Sequence, residues 1–144
     1  MTTRADIIAY ARTLLGTPYR HQGRLPGVGL DCVGVLVAVA THFGLSFHDC
    51  PAYARVPHRD TLERELEAGG MAEVPRSRVR PGDAMTFWVR TRGVAKHAML
   101  LTDRGVLHAY HSVNPVGVVE TALEPFWAHR LSKCYRFPGT GEEG

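Results

Sequence analysis

The stretch at residues 27–40, GVGLDCVGVLVAVA, decides how the rest of the chain is read. It sets Cys32 between an acidic residue, Asp31, and the apolar run 33–40. The valines favour a buried strand, yet an unbroken apolar run suits a buried helix equally, and periodicity does not separate the two. In a helix, Cys32 would lie in the first turn, where the positive end of the helix dipole favours the thiolate. Asp31 beside it would act in the opposite sense. In a core strand, Cys32 would be a buried and inert thiol.

Upstream, residues 17–31 (TPYRHQGRLPGVGLD) hold two prolines and three glycines and read as a loop. It is long for a compact domain, and ordered loops of that length usually carry function. Before it lies a helix. Thr3 can cap it, with Asp6 three residues on in the capping-box position that Glu usually fills. Ile7, Ile8, Ala11, Leu14 and Leu15 are expected on its inner face, and Gly16 suits the stop.

Downstream, Gly44 ends the apolar run and residues 45–59 are irregular. Asp60 is expected to cap a short helix, DTLERELEAGG, with Leu62 and Leu66 inward, Glu63 near the capping-box position and the glycines at 69 and 70 as the stop. Arg76, Arg78 and Arg80 form a basic patch, for which a solvated face is the plainer reading and an anion site the sharper one. From Pro81 the pattern turns to short β runs: AMTFWV (84–89), KHAMLLT (96–102), VLHAYH (106–111) and VGVVETA (116–122). EPFWAHR suits one helical turn, KCYRFPG a last strand, and residues 139–144 a frayed tail. Helices first and an antiparallel sheet after them is an α+β order, in one domain over residues 1–138.

The 144 residues fit a single domain, and 44% apolar residues are enough to fill one core. Charged residues at 22% argue against disorder. A net charge of +3 suits an anionic partner only weakly. No stretch approaches the roughly 18 apolar residues of a membrane span, and Arg12 interrupts the short apolar run at the start, so no secretory signal is expected and synthesis in the cytoplasm is. Three widely spaced cysteines, Cys32, Cys50 and Cys134, do not make a disulfide framework, although a Cys50–Cys134 bridge is one option. The absence of any C-x-x-C argues against structural zinc.

A thiol becomes a nucleophile when a histidine can take its proton and a third polar group orients that imidazole. Of the eight histidines, His97 and His108 stand inside apolar β runs, where a polar ring needs a partner. They lie on consecutive strands about the turn LTDRGV. With residues 102–105 as the loop and Gly105 in a left-handed conformation, Leu101 opposes Val106, Met99 opposes His108, and His97 lies diagonal to His108 on the same face. A three-residue loop, 103–105, would put the two rings on opposite faces unless a bulge intervened. His111 falls on the face opposite His108 in a regular strand.

The ordered set LLGTPYRHQGR, DCVG, RPGDAMTFW, HAMLL and GVLHA, over about residues 6–110, resembles the NlpC/P60 cysteine peptidases. The short form with GTPYRHQG resembles members from phage tails, prophages and gene-transfer agents. The resemblance implies a papain-like α+β fold in which the cysteine opens a helix packed on an antiparallel sheet. It implies Cys32 as nucleophile, His97 as general base and His108 as the residue orienting it. Tyr19 matches a tyrosine beside the thiol, whose hydroxyl would join the Cys32 N–H in an oxyanion hole. The implied reaction is hydrolysis of peptidoglycan stem peptides through a thioester, next to D-glutamate and before the diamino acid, with no metal or other cofactor.

Where many members read DCSG, this chain has Val33 in place of the serine that helps hold a free substrate amine. Asp31 is left to supply negative charge there, or to cap the helix. Expected partners are peptidoglycan stems and phage-like tail proteins, with no nucleic acid and no membrane span; the site of action is the bacterial wall. Two other readings stand beside the peptidase: a catalytically silent structural tail component, since fold does not guarantee chemistry, and a metal site from Cys32, His97, His108 and His111. Acyl transfer to an acceptor other than water would use the same site.

Overall fold

A computed structural model describes residues 2–47, 61–110 and 117–140. The first helix, α1 (Arg4–Arg12), starts as its sequence dictates: Thr3 Oγ1 accepts from the Asp6 N–H, and Asp6 accepts from the Thr3 N–H. Ile7, Ile8, Ala11 and Leu14 are buried, but Leu15 is 43% exposed. The helix ends before it, so the 3.6-residue period no longer aims that side chain inward.

The loop after α1 contains a small hairpin, β1 (Arg24–Leu25) with β2 (Gly29–Leu30), turned by Pro26 and Gly27 at φ +80°. The apolar run that follows is a helix, α2 (Cys32–Phe43), closed by Gly44 in the left-handed conformation. The third helix, α3 (Thr61–Ala68), buries Leu62 and Leu66 as expected, and Gly70 follows with φ +115°. Its expected cap, Asp60, lies outside the described residues, as do Cys50, His111 and the tail beyond residue 140.

One six-stranded antiparallel sheet makes up the second half. Its strands are β3 (Ala72–Val74), β4 (Ala84–Trp88), β5 (Ala95–Thr102), β6 (Gly105–Tyr110), β7 (Gly117–Thr121) and β8 (Leu131–Arg136), in the order β3-β8-β4-β5-β6-β7. A one-turn helix, α4 (Pro125–Ala128), precedes β8. Strand β3 was not expected; it is three residues long and pairs only with β8, too short to show alternation. Two apolar clusters separate the faces. Val35, Leu36 and Val39 of α2 meet Ala98, Leu100, Leu107 and Ala109 on one side. Met85, Phe87, Met99 and Val106 meet Trp127 of α4 on the other.

The RPGD segment (80–83) ties the halves together. The Asp83 carboxylate is wholly buried and accepts from Arg4 Nη1 (2.8 Å), Arg136 Nε (3.1 Å) and the Arg80 N–H (3.0 Å). The basic patch is partly structural as well: Arg76 donates to the carbonyls of Leu131 and Ser132 on β8.

Candidate functional site

Cys32 is the first residue of α2, and Asp31 is its N-cap. Asp31 Oδ1 accepts from the Gly34 N–H (2.8 Å) and from Arg24 Nη1 (2.9 Å), while Oδ2 accepts from the Gln22 N–H (2.8 Å). One buried carboxylate thereby fixes the helix start and the hairpin beside it. Gly34 is required here by contact: a Cβ would collide with the Gly23 carbonyl oxygen. The glycine of DCVG thus lets the loop close on the first turn. Val33 buries its side chain against Leu62 and Ala95, so this position offers no hydroxyl to the site.

The sulfur of Cys32 lies close enough to the backbone N–H groups of Ala98 and Val33 for both to draw its pKa down; Ala98 directly follows His97. Burial and the Asp31 carboxylate outweigh them, together with the Arg24 guanidinium, and push the thiol up to about 12. At neutral pH the resting group is the thiol.

Register decides the histidines. Leu101 faces Val106 and Thr102 faces Gly105, so residues 103 and 104 form the tip between paired strands. This is the Leu101–Val106 alignment that puts His97 and His108 on one face. Gly105 has φ +144°, and a Cβ there would strike the Thr121 carbonyl oxygen. His97 Nε2 and His108 Nδ1 lie 2.6 Å apart, and both residues are 2% exposed. A bulge at Lys96 shifts the β4–β5 register from Phe87–His97 to Trp88–Ala95, which returns Ala95 to the side of Val33 and Cys32.

Burial lowers His108 to about 4, so its ring is neutral at physiological pH and can accept at Nδ1. With His97 Nε2–H donating to that nitrogen, Nδ1 of His97 keeps its lone pair and can take a proton. The histidine pair lies on the side of Met99, Val106 and Trp127, while the residue after His97, Ala98, faces α2 and brings its backbone N–H to the Cys32 sulfur. Among the described residues, no three His, Cys, Asp or Glu side chains converge as metal ligands would.

Tyr19 is half-buried against the α2-side core and bridges to Leu30 in the segment that leads into Cys32. The histidines have aromatic surroundings that their own sequence neighbourhoods do not reveal in full. Tyr110 and Trp127 lie with ring centroids 4.6 and 5.0 Å from that of His97. For Tyr110 the signal was strand alternation, because it stands two residues after His108 on β6 and so on the same face; for Trp127 there was only the aromatic pair Phe126–Trp127.

A cysteine-led helix packed on an antiparallel sheet that carries a histidine pair is the frame of the papain-like α+β class. The chain belongs to the NlpC/P60 family, whose model matches residues 16–136. Among solved structures, an NlpC/P60 family protein from Bacillus cereus superposes with a TM-score of 0.70 at 19% identity, covering 94% of this chain and 40% of its own. The NlpC/p60 domain of the peptidoglycan hydrolase SagA gives 0.63 at 20% identity, covering 93% of this chain and 98% of its own. NlpC2 from Trichomonas vaginalis gives 0.67 at 16% identity, covering 93% and 46%. The chain spans about two fifths of the Bacillus cereus protein. No curated protein shows significant similarity to it. No helix among the described residues is long and apolar enough to cross a membrane.

Proposed function

We propose that this chain is a cysteine endopeptidase that hydrolyses peptidoglycan stem peptides, at the bond between D-glutamate and the diamino acid, and that it is carried to the bacterial wall in a phage-like tail. The observation that carries the chemistry is the buried 2.6 Å contact between His97 Nε2 and His108 Nδ1, on the strand whose next residue, Ala98, borders the Cys32 sulfur. Family membership and the likeness to the SagA domain support the substrate class. The GTPYRHQG segment supports the tail association.

In the reaction, His97 Nδ1 takes the thiol proton as Cys32 Sγ attacks the scissile carbonyl carbon. The imidazolium so formed is stabilised by donating Nε2–H to neutral His108. The oxyanion is held by the Cys32 N–H, which as the first helical amide has no intrahelical acceptor, and by the Tyr19 hydroxyl. His97 then protonates the departing amine, leaving a thioester. Water attacks the thioester with His97 again as base, which releases the acid and restores the thiol. Because Val33 is packed away and both Asp31 oxygens hold protein groups, the site is suited to stems without a required free N-terminal amine.

The test is digestion of purified peptidoglycan by wild type and Cys32→Ala, read by mass spectrometry of released muropeptides. New fragments from wild type alone support the proposal and name the bond. Silence from both supports the second reading, a catalytically silent tail component.

A further inference from the structure

We infer that Trp127 and Tyr110 are positioning residues for His97: their rings close over its imidazole and keep water from the His97–His108 hydrogen bond, so that His108 remains an acceptor and His97 keeps the tautomer of a base. The inference rests on the peptidase reading for its catalytic meaning.

The geometry is specific to the histidine pair. The Trp127 ring lies 5.0 Å from that of His97 at an interplanar angle of 34°, and Tyr110 lies 4.6 Å from it at 56°. The two stand edge to face with each other at 5.3 Å, and His108 is 6.3 Å from Trp127 and 6.2 Å from Tyr110. Two polar rings are thus enclosed by aromatic surface where an aliphatic core would suffice for packing alone.

The enclosure is itself held in place. Trp127 is 8% exposed and rests edge-on against Phe87 (5.6 Å) and Phe126 (5.0 Å). Pro125 opens α4, and the Arg130 N–H donates to the Trp127 carbonyl. The Arg130 side chain donates to the Phe126 and Val89 carbonyls and covers the Phe126 ring at 3.8 Å. A one-turn helix would not hold its shape alone; these contacts strap it to the end of β4.

The chemistry follows from the two nitrogens in contact. A neutral His108 can accept at Nδ1 from His97. A protonated His108 carries hydrogen on Nδ1 and must donate into His97 Nε2, which moves the His97 proton to Nδ1 and removes its basic lone pair. Water at this contact would favour the charged ring; an aromatic wall disfavours it. Among the described residues, the titratable side chains set against His108 are His97 and Tyr110. Val119 pairs with it from β7, and Glu120 next in line is bound to Arg12 and Thr102. Glu124 and His129, at the ends of α4, are exposed.

The experiment is a pH titration of the imidazole nitrogens by NMR in the resting, full-length protein, for wild type, Trp127→Ala and Trp127→Phe. In wild type His108 stays neutral down to about pH 4, and in Trp127→Ala its titration moves toward the ordinary 6.5. Trp127→Phe keeps a ring and restores most of the wild-type behaviour. In parallel, the acid limb of Cys32 alkylation, followed by mass mapping of its peptide, moves up in Trp127→Ala. The kcat for muropeptide release falls about 10- to 100-fold with KM little changed. A folded Trp127→Ala whose histidines titrate as in wild type overturns the inference. Should that variant fail to fold, Tyr110→Leu carries the same expectation and the same refutation. A shifted titration in a protein whose wild type releases no muropeptides would refute the peptidase reading and leave the shielding intact.

Discussion

The two halves of the site are held by opposite means. At the start of α2, polar groups do the work: Asp31 gathers two backbone N–H groups and a guanidinium, and the sulfur is set beside them. On β5 and β6, aromatic surface does it, with Trp127 and Tyr110 enclosing a single hydrogen bond. The electrostatic outcome is nevertheless the same. Asp31 and burial hold the thiol protonated, and burial holds His108 neutral. The comparison teaches that both halves favour the neutral form of their reactive group, so that on the proposed peptidase reading the thiolate–imidazolium pair would be made during attack rather than stored beforehand.

The largest test of that picture is His97→Ala. With no base for a thiol at about 12, hydrolysis should fall about 10³- to 10⁴-fold, measured as muropeptide release at saturating substrate. A preformed, His97-independent thiolate would show instead as a loss of only a few-fold. Gly34→Ala should come next. The added methyl meets the Gly23 carbonyl and pushes the loop from the helix start, costing about 1–3 kcal/mol in denaturant unfolding and most of the activity. A variant as stable and active as wild type would show that the polar half tolerates displacement.

His108→Ala should be milder, about 10²-fold or less in kcat, because it orients the base without touching the reacting atoms. Its pH signature is sharper. A histidine held below its unfolded value makes the unfolded chain bind more protons between about pH 4 and 6.5, so stability rises with pH across that window. His108→Asn should flatten that slope in thermal melts, and an unchanged slope would place the titration elsewhere. The smallest effect is expected at the polar half. Asp31→Asn removes the charge that raises the thiol, so Cys32 alkylation should quicken a few-fold at fixed pH, while Arg24→Gln should slow it. Both changing in the same direction would mean that cap geometry, and not charge, governs the sulfur.

Much of this was legible along the chain, and the reason is locality. The capping box at Thr3 and Asp6, the glycine stops and the short β runs depend on neighbours within a few residues. The alignment of Leu101 with Val106 follows from a tight turn that pairs the strands on either side of it. The ordered motifs carried the family and, with it, the helix at 32–43, which composition alone left undecided. Leu15 was misplaced because a period says nothing about where a helix ends.

Only the tertiary structure decided what depends on residues far apart in sequence. Asp83 joins Arg4 to Arg136, and Glu63 of α3 is buried at 3% exposure against Thr86 and Ser132, although its position suggested a cap. Trp127 comes to His97 from 30 positions away, and no local pattern of residues encodes that approach. The charge states of Cys32 and His108 belong to this second group as well. A thiol or an imidazole has its ordinary pKa in an isolated peptide; it is the removal of water by packing that moves both further toward the neutral form.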